Sequence, residues 1–209
     1  MKVLELFAGS RSIGKACEEL GYEVFSSDIT PFDKIDYAID ILQFDVNNVP
    51  FVPDIIWASP PCTSYSVAGI SHHRRDGKPI SELAIQSDII MIKLYDLIHH
   101  FINQNPKLIY YIENPRGMLR KMDFMDVYPI RQTITYCQYG DTRMKPTDIW
   151  TNNQNWNPRP MCKNGDTCHE SAPRGSRTGT QGLKSDYNRS KIPHELCIEV
   201  LTKIDSYEL

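Results

Sequence analysis

The amino-acid sequence predicts an α/β fold built on a doubly wound sheet. Strand-like apolar runs alternate with helical patterns along the chain, which is typical of this class. The first run has apolar residues on both faces, as a buried parallel strand does. Asp28, Cys62 and Glu113 all lie where such runs end, and doubly wound proteins bind their ligands at the carboxyl ends of strands.

Length and composition limit the class of protein further. The chain has 209 residues and a mass of 24.1 kDa, enough for one domain with a small appendage. Its 41% hydrophobic and 23% charged residues exclude a disordered or collagen-like chain. No apolar stretch approaches the ~20 residues that cross a bilayer, and the N-terminus lacks a signal-peptide pattern. We therefore expect a cytoplasmic protein that does not contact a membrane.

The net charge of −3 is unevenly distributed. Residues 1–58 carry 4 basic and 10 acidic side chains, residues 59–191 carry 18 and 12, and residues 192–209 carry 1 and 4. A basic middle section suits a protein that meets a polyanion through one face, although scattered surface charges give the same count.

Apolar periodicity predicts the elements of the N-terminal part. Ile13, Ala16, Cys17 and Leu20 recur at helical spacing, and Gly21 ends that helix. The predicted elements are, in order, a strand at Met1–Ala8, a turn at Gly9-Ser10, this helix, and strands at Glu23–Asp28, Tyr37–Asp40 and Asp54–Ala58, the last stopped by Pro60-Pro61.

The longest helical pattern runs from about Ser81 to Gln104. Its expected core stripe consists of Leu83, Ile90, Leu94, Leu97, Ile98 and Phe101. The remaining predicted elements are strands at Leu108–Ile112, Gln132–Tyr136 and Asp148–Thr151, and a closing helix at His194–Ile204.

Composition divides the chain into three parts. Residues 1–151 carry the strand and helix patterns and form the main domain. Residues 152–191 are rich in Asn, Pro, Gly, Arg and Ser and read as a loop-rich insertion, which in a compact domain carries function or an internal staple. Residues 192–209 supply a helix that packs back on the main domain.

The turn from Phe7 to Gly14 has the composition of a ligand-binding strand-to-helix turn. Glycine allows close approach of the backbone, and the helix N-terminus presents free N–H groups. Asp28, about 20 residues further on, is placed to accept hydrogen bonds from ribose hydroxyls. Asp40 would bind an adenine amino group; the alternative is that both acids are solvated loop residues.

Pro60-Pro61-Cys62 is the strongest local signal. Two prolines force a stiff exit from the preceding strand and hold Cys62 at the crevice rather than in the core. Glu113-Asn114-Pro115 ends another strand in the same manner, and a buried carboxylic acid there can donate a proton.

Together these motifs resemble those of the cytosine-5 methyltransferase family. Its acid-Leu-Phe-Ala-Gly turn matches Glu5 to Gly9, its Pro-Cys motif matches Pro61-Cys62, and its Glu-Asn-Val motif matches Glu113-Asn114 with Pro115 as the third residue. Tyr139 to Lys145 is similar to its Gln-x-Arg-x-Arg element preceded by Tyr-Gly, but the Gln is absent and Lys145 replaces the final Arg. Order and spacing agree over roughly residues 1–152.

The resemblance implies a Rossmann-like methyltransferase sheet, S-adenosyl-L-methionine as cofactor, and defined roles for these residues. Cys62 would add as a thiolate to carbon 6 of cytosine, although a free thiol has a pKa of ~8.5 and needs help from its surroundings. Glu113 would protonate ring nitrogen 3, Asn114 would position the loop, and Arg143 and Lys145 would hold Glu113, the pyrimidine carbonyl or a phosphate. The expected cofactor contacts are Phe7, Ala8, Gly9, Ser10, Ser12, Ile13, Asp28, Ile29, Asp40, Ile41, Ser59 and Pro60.

The family's loop after the nucleophile closes over nucleic acid, and a target base in a duplex must be flipped out. The corresponding segment here, Ser66 to Lys78, is basic. The expected nucleic-acid contacts are Ser64, His72, His73, Arg74 and Arg75, with Arg174 and Arg177 from the insertion. A solvated surface loop is the alternative.

Two larger family features are also absent or reduced. The final Gly-Asn-Ser motif, which completes the cofactor pocket, has only Tyr187-Asn188-Arg189-Ser190 as its nearest fragment, so Asn188 to Ile192 are expected in its place. The large target-recognition region is reduced to about forty residues. Recognition must then come from this short insertion, a partner chain or a homodimer, or be slight.

Six cysteines occur without a secretory signal, so disulfides are not expected. Cys17 and Cys197 lie on apolar helical stripes and are assigned to the core. Cys137, Cys162, Cys168 and His169 would satisfy a tetrahedral structural zinc, which would order a segment too polar to bury a core. Free cysteines are the alternative.

We therefore expect a DNA cytosine-5 methyltransferase of the minimal kind that phages and bacteria encode, working in the host cytoplasm in the phage case. RNA is the alternative substrate, because the catalytic residues contact the base and nothing identified here recognises the sugar. A non-catalytic cofactor- or DNA-binding subunit, and transfer of a group larger than methyl, are further alternatives.

Overall fold

The computed structural model describes residues 1–171, 183 and 185–204. Its strands are β1 (Lys2–Leu6), β2 (Glu23–Asp28), β3 (Tyr37–Ala38), β4 (Ile55–Ala58), β5 (Arg74–Arg75), β6 (Lys78–Pro79), β7 (Ile109–Pro115), β8 (Ile130–Thr135) and β9 (Pro146–Thr151). Its α-helices are α1 (Ser12–Glu19), α2 (Ile70–His73), α3 (Glu82–Gln104), α4 (Asp186–Ser190) and α5 (His194–Thr202).

Seven strands form one mixed sheet in the order β3-β2-β1-β4-β7-β9-β8. The first five are parallel, whereas β9 runs antiparallel to both β7 and β8. The carboxyl ends of β1, β2, β4, β7 and β8 therefore meet at one edge, together with the start of β9. The predicted doubly wound α/β class is confirmed, and proteins of this class generally bind their ligands at this edge of the sheet.

Each face of the sheet has its own apolar core, because side chains alternate along every strand. Leu4, Leu6 and Ile56 pack with the buried face of α3. Val3, Ile55 and Trp57 pack on the other face with α1 and α5. The strands are buried on both faces by these helices, which explains their nearly continuous apolar sequences.

The helix α3 begins one residue after Ser81, whose side chain caps it by accepting from the N–H of Ala84 at 3.2 Å. The predicted core stripe is wrong at its N-terminal end, where Leu83 is 45% exposed. Ala84, Ser87 and Met91 continue the buried face of Leu94 and Ile98 instead. The buried face includes a small and a polar residue at its N-terminal end, so counting apolar positions alone placed the stripe incorrectly there.

The residues after β9 are anchored by Trp156, which is buried in the core with α5. Its indole N–H donates to Glu199 at 3.0 Å, and its ring packs edge-on against Tyr111. Cys17 and Cys197 are fully buried, as predicted. Within the described residues, no helix has the length and apolar character that a membrane span requires.

Candidate active site

The ends of β4 and β7 bring the two strongest sequence motifs together. Ala58 pairs with Ile112 in register, so the Pro60-Pro61-Cys62 loop and Glu113-Asn114 leave the same edge of the sheet. The side-chain amide of Asn114 donates to the carbonyl of Pro60 at 2.9 Å. Asn114 Oδ1 is buried and accepts no hydrogen bond in the described part of the chain. Asn114, which lies inside β7, thus ties the Cys62 loop to this strand.

Buried groups on the protein side of the Cys62 loop hold it in place. Cys62 is half-buried and precedes a 3-10 turn at Thr63–Tyr65, closed by a bond from the N–H of Tyr65 to the carbonyl of Cys62 at 3.1 Å. The Tyr65 hydroxyl donates to Asp88 at 2.7 Å. A Cβ added at Gly117 would lie 2.5 Å from the carbonyl oxygen of Tyr65, so only glycine allows the loop after β7 to pack this closely.

Glu113 is buried, with two neighbours that control its carboxyl group. The Tyr136 hydroxyl donates to Glu113 Oε1 at 2.9 Å, and the Lys145 ammonium lies 3.8 Å from the same oxygen. Burial, reinforced by the adjoining Glu113 carboxyl group, holds the pKa of Tyr136 well above its usual value, so this hydroxyl keeps its proton and donates. Lys145 also lies 4.4 Å from the centre of the Tyr136 ring.

Tyr136 is a site residue that sequence reasoning missed. It follows β8, whose direction is parallel to β7, so its side chain reaches the same edge of the sheet. The signal was available, because the last residue of the predicted strand 132–136 is this tyrosine. Only the pairing of β8 through β9 reveals which edge that strand end occupies.

Arg143 has a different environment from Lys145. Its guanidinium is buried, binds Asp141, and donates to the carbonyls of Arg189 at 3.0 Å and Lys191 at 3.1 Å. It therefore holds residues 185–192, which we call the closing segment, rather than the Glu113 carboxyl. Lys145 contacts both, since its ammonium also lies 3.4 Å from the Arg189 carbonyl.

The predicted cofactor turn follows β1 with an unusual backbone. Phe7 and Gly9 both have φ near +50°, a region that favours glycine. The Asp28 carboxylate accepts from the N–H of Gly9 at 2.8 Å and from that of Thr30 at 2.9 Å, so it is fixed beside the turn. Ile29 next to it is 70% exposed. The Ser10 and Ser12 hydroxyls lie 2.9 Å apart.

The contacts that the other predicted cofactor residues make are mostly with the protein itself. Ala8, Ile13 and Ile41 are buried apolar side chains, so they can meet a ligand through their backbone only. Asp40 caps a 3-10 turn by accepting from the N–H of Leu42, and the Ser59 hydroxyl accepts from the Trp57 indole at 2.9 Å. The Pro60 carbonyl is the acceptor for Asn114.

The closing segment lies against the cofactor turn. The N–H of Ile192 donates to Ser12 Oγ at 3.1 Å, and a Cβ added at Gly9 would lie 3.7 Å from Ser190 Oγ. The Tyr187 ring meets that of Phe32 with centres 5.4 Å apart. The Asp28 carboxylate thus lies beside the turn, near the exposed apolar side chains of Ile29 and Phe32, and acceptors next to apolar surface fit the adenosine half of S-adenosylmethionine.

The residues predicted to bind nucleic acid are only partly on the surface. His72 and Arg75 are exposed, and the His73 ring bonds to Ser81 Oγ at 2.9 Å. Ser64 is buried, and its hydroxyl makes no hydrogen bond with the described residues. Arg174 and Arg177 lie outside the described residues.

The expectation for Arg74 is wrong. Its guanidinium is buried, stacks on the Tyr65 ring at 4.4 Å, and bonds both oxygens of Asp88. It also donates to the Ser64 carbonyl at 3.2 Å. With its charge balanced by Asp88 and its donors used inside the protein, Arg74 is unavailable to a phosphate.

Cys137, Cys162, Cys168 and His169 form a cluster that could hold a metal ion, with all ligand atoms within 4.8 Å of one another. The Cys162 and Cys168 sulfurs lie 3.7 and 3.6 Å from His169 Nδ1, and the Cys137 and Cys168 sulfurs are 3.6 Å apart. These separations are close to the edges of a tetrahedron with Zn–S bonds of ~2.3 Å. The Cys137 and Cys162 sulfurs are closer, at 3.0 Å.

Solved methyltransferase structures are similar to this chain. It is similar to the methyltransferase EhMeth of Entamoeba histolytica, with a TM-score of 0.50 and 14% identity over 78% of this chain and 57% of that one. For the Dnmt2 methyltransferase of S. pombe the values are 0.48, 15%, 76% and 51%. A DNMT2 mutant of Spodoptera frugiperda gives 0.49, 18%, 74% and 51%. The chain thus spans a little more than half the length of these proteins.

Sequence comparison adds a relative of matching length, although no protein-family profile matches the chain. A probable DNA (cytosine-5)-methyltransferase of Frog virus 3 (isolate Goorha) is 26% identical over 223 residues, covering 96% of this chain and 99% of the relative. The agreement extends over nearly the whole of both proteins and includes the region that carries the motifs. The resemblance predicted from those motifs is confirmed: over nearly its whole length the chain is similar to a protein named as a probable DNA (cytosine-5)-methyltransferase.

Proposed function

We propose that this protein transfers a methyl group from S-adenosylmethionine to carbon 5 of cytosine in DNA, through a covalent adduct at Cys62. The observation that carries the proposal is the bond from Asn114 to the Pro60 carbonyl, which ties the Cys62 loop to the buried Glu113. DNA is favoured as substrate because the Frog virus 3 relative is named for it.

In the first half of the reaction, the Cys62 thiolate forms a bond to carbon 6 and breaks the 5,6 double bond of cytosine. Glu113 gives its proton to nitrogen 3, which takes up the displaced charge. The Lys145 ammonium, 3.8 Å away, stabilises the carboxylate that remains. When bound, S-adenosylmethionine supplies the electrophilic methyl group that carbon 5 takes.

In the second half, a base removes the proton from carbon 5, the double bond reforms, and the sulfur of Cys62 leaves as a thiolate. Glu113 takes back the nitrogen 3 proton, so the chain returns to its starting state. The cofactor residues of this proposal are Asp28 for the ribose hydroxyls, Asp40 for the adenine amino group, and the backbone of Phe7 to Ser10. His72 and Arg75 are the proposed phosphate contacts of the loop after Cys62.

A labelled-methyl assay on mixed-sequence DNA and on RNA tests the proposal. Wild-type protein should label carbon 5 of cytosine in DNA, Cys62→Ala should give no label, and Glu113→Gln should lower kcat by about 10²–10⁴-fold. Glu195→Gln, an exposed carboxylate on α5, is the matched control. An oligonucleotide with 5-fluorocytosine should leave an adduct on Cys62 by mass spectrometry, because fluorine cannot leave as a cation.

Two results would overturn this assignment. If label enters RNA but not DNA, the substrate is RNA. If the protein binds S-adenosylmethionine but methylates neither nucleic acid, it is better explained as a non-catalytic subunit. Target recognition by a partner chain or a homodimer stays a prediction, as does location in the cytoplasm.

We also propose that the cluster of three cysteines and His169 binds one structural zinc ion. Three thiolates and an imidazole are a closed ligand set, with no position left for a catalytic water. Elemental analysis of the purified full chain should give one zinc per molecule, and Cys162→Ser should abolish it. Absence of stoichiometric metal in the wild-type protein would disprove this site.

A further inference from the structure

Consecutive residues of one short turn reach the two sites described above. The 3-10 turn Tyr136–Tyr139 follows β8 directly. Its first residue, Tyr136, donates to Glu113 at 2.9 Å, and its second, Cys137, places its sulfur in the metal-binding cluster. A single backbone unit therefore lies between the proposed proton donor and the proposed zinc.

The loop from Tyr136 to Lys145 is closed by its own backbone. The N–H of Tyr136 donates to the Met144 carbonyl at 2.9 Å, and the N–H of Asp141 donates to the Tyr136 carbonyl at 3.3 Å. Tyr136 and Lys145, which both approach Glu113 Oε1, are consequently parts of one rigid loop.

The segment that carries Cys162, Cys168 and His169 is hydrogen-bonded to the end of β8 and to this loop. The N–H of Cys162 donates to Thr135 Oγ1 at 3.0 Å, and the N–H of Glu170 donates to the Thr142 carbonyl at 2.9 Å. Residues 157–171 have few buried side chains of their own, so their position depends on these bonds and on the cluster. Four metal–ligand bonds would fasten the loop where hydrogen bonds alone hold a polar, exposed segment.

We propose that Tyr136 is a positioning residue for Glu113 and that metal bound at the cluster keeps it in place. The hydroxyl of Tyr136 fixes Oε1 and thereby aims Oε2 at the pyrimidine ring. Loss of the metal releases Cys137, and with it the adjoining tyrosine. This inference rests on the proposed function, in which Glu113 protonates nitrogen 3.

The first test follows the Glu113 carboxyl group directly and needs no turnover. Full-length protein labelled with ¹³C at the glutamate carboxyls is freed of metal and titrated with Zn²⁺, with the Glu113 resonance assigned from Glu113→Gln. Zinc should shift this resonance in the wild type, but by less than a fifth as much in Tyr136→Phe. Tyr139→Phe is the control for loss of a hydroxyl in the same turn, because this hydroxyl bonds Glu199 at 3.2 Å and accepts from the N–H of Arg159 at 3.0 Å rather than contacting Glu113.

The second test measures whether metal and tyrosine act through one route. Tyr136→Phe should lower kcat by about 10²-fold, as expected for a misplaced catalytic group, with the Kd for S-adenosylmethionine unchanged. Zinc removal should lower kcat by a similar factor in the wild type and in Tyr139→Phe, but by less than threefold in Tyr136→Phe. A purely structural role of either group would give independent, multiplying effects.

The outcomes separate this inference from the proposed function. Equal zinc responses of the Glu113 resonance in wild type and Tyr136→Phe, multiplying kinetic effects, or a failure to take up zinc would each overturn the coupling. The protein could instead methylate no cytosine and still show a Glu113 resonance that responds to zinc in the wild type but not in Tyr136→Phe. This result would support the coupling and overturn only the proposed reaction.

Discussion

Neighbouring arginines in the hairpin of β5 and β6 have opposite environments. Arg74 is buried between Tyr65 and Asp88, whereas Arg75 is exposed. A basic run in a sequence is compatible with both, since arginine is buried only where a partner balances its charge. The partner here, Asp88, lies on α3, fourteen residues away.

Replacing Arg74 should therefore affect folding rather than DNA affinity. Arg74→Met leaves Asp88 without its counter-ion, and we expect a loss of about 3 kcal/mol in the free energy of unfolding. Urea denaturation measures this loss. Arg75→Met should change stability by less than about 0.5 kcal/mol but weaken DNA binding and reduce its salt dependence. The reverse pattern would refute the assignment.

Glu5, the acid of the first motif, is a buried group whose charge is costly. Burial raises its pKa to about 7, against the opposing effects of Ser26, the backbone of Gly14 and Ile13, and Arg11. Below pH 4.5 the carboxyl is protonated in both the folded and the unfolded protein. Between about pH 4.5 and 7 only the unfolded state loses the proton, so stability falls as the pH rises and is constant above this range.

Glu5→Gln should remove this pH dependence. A shift from 4.5 to about 7 corresponds to roughly 3 kcal/mol, so the variant should gain stability relative to wild type between pH 5 and pH 8 by up to that amount. Urea unfolding at both pH values gives the comparison. Glu23→Gln, an exposed residue on β2, should keep the wild-type slope; a Glu5→Gln slope equal to wild type would contradict the argument.

At the scale of elements, the closing segment has too little structure to hold itself. Its helix, α4, has five residues, far fewer than an isolated helix needs. Arg143 supplies two donors to its carbonyls, and Ser12 accepts from Ile192. The sequence predicted that Asn188 to Ile192 approach the cofactor, but it assigned Arg143 to the catalytic groups.

Arg143→Gln should consequently weaken cofactor binding more than it slows chemistry. We expect the Kd for S-adenosylmethionine to rise about tenfold, the cost of a few lost hydrogen bonds to the segment that covers the turn. Calorimetric titration measures the Kd, with the exposed Arg131→Gln as control. An unchanged Kd together with a reduced kcat would contradict this prediction and support a catalytic role for Arg143.

At the scale of the whole molecule, the described residues form a seven-stranded sheet between two helical layers, with a polar segment attached after β9. The sheet and helices bury apolar side chains on both faces. Residues 157–171 contribute Cys162 alone to the buried apolar set, so the metal cluster replaces a core there.

Zinc removal should therefore lower stability without dissolving the sheet. At a free zinc concentration 1,000 times the Kd, binding contributes about 4 kcal/mol. This corresponds to a fall in Tm of roughly 8–16 °C for a chain of this size on addition of a chelator. Far-UV circular dichroism should keep most of its signal, and Cys162→Ser should have a Tm that zinc does not change. A chelator without effect on wild-type Tm would argue against a structural metal.

The order of elements and the two reaction motifs followed from the sequence, because both depend on local patterns. Apolar runs, helical periodicity, and the prolines beside Cys62 and Glu113 act on residues close in the chain. The sequence also indicated that Cys162, Cys168 and His169 of the polar insertion, with Cys137 upstream, could form one cluster, and the structure brings the four together.

The tertiary structure alone decided which edge each later strand occupies and which charges are buried. Tyr136 reaches Glu113 because β8 pairs through the antiparallel β9, a choice made by contacts between distant residues. Arg74 and Arg143 bind carboxylates inside the protein, and Arg74 does so through a residue distant in the sequence. Local sequence specifies how the chain bends, whereas the partner of a charged side chain is selected only when the whole sheet has assembled.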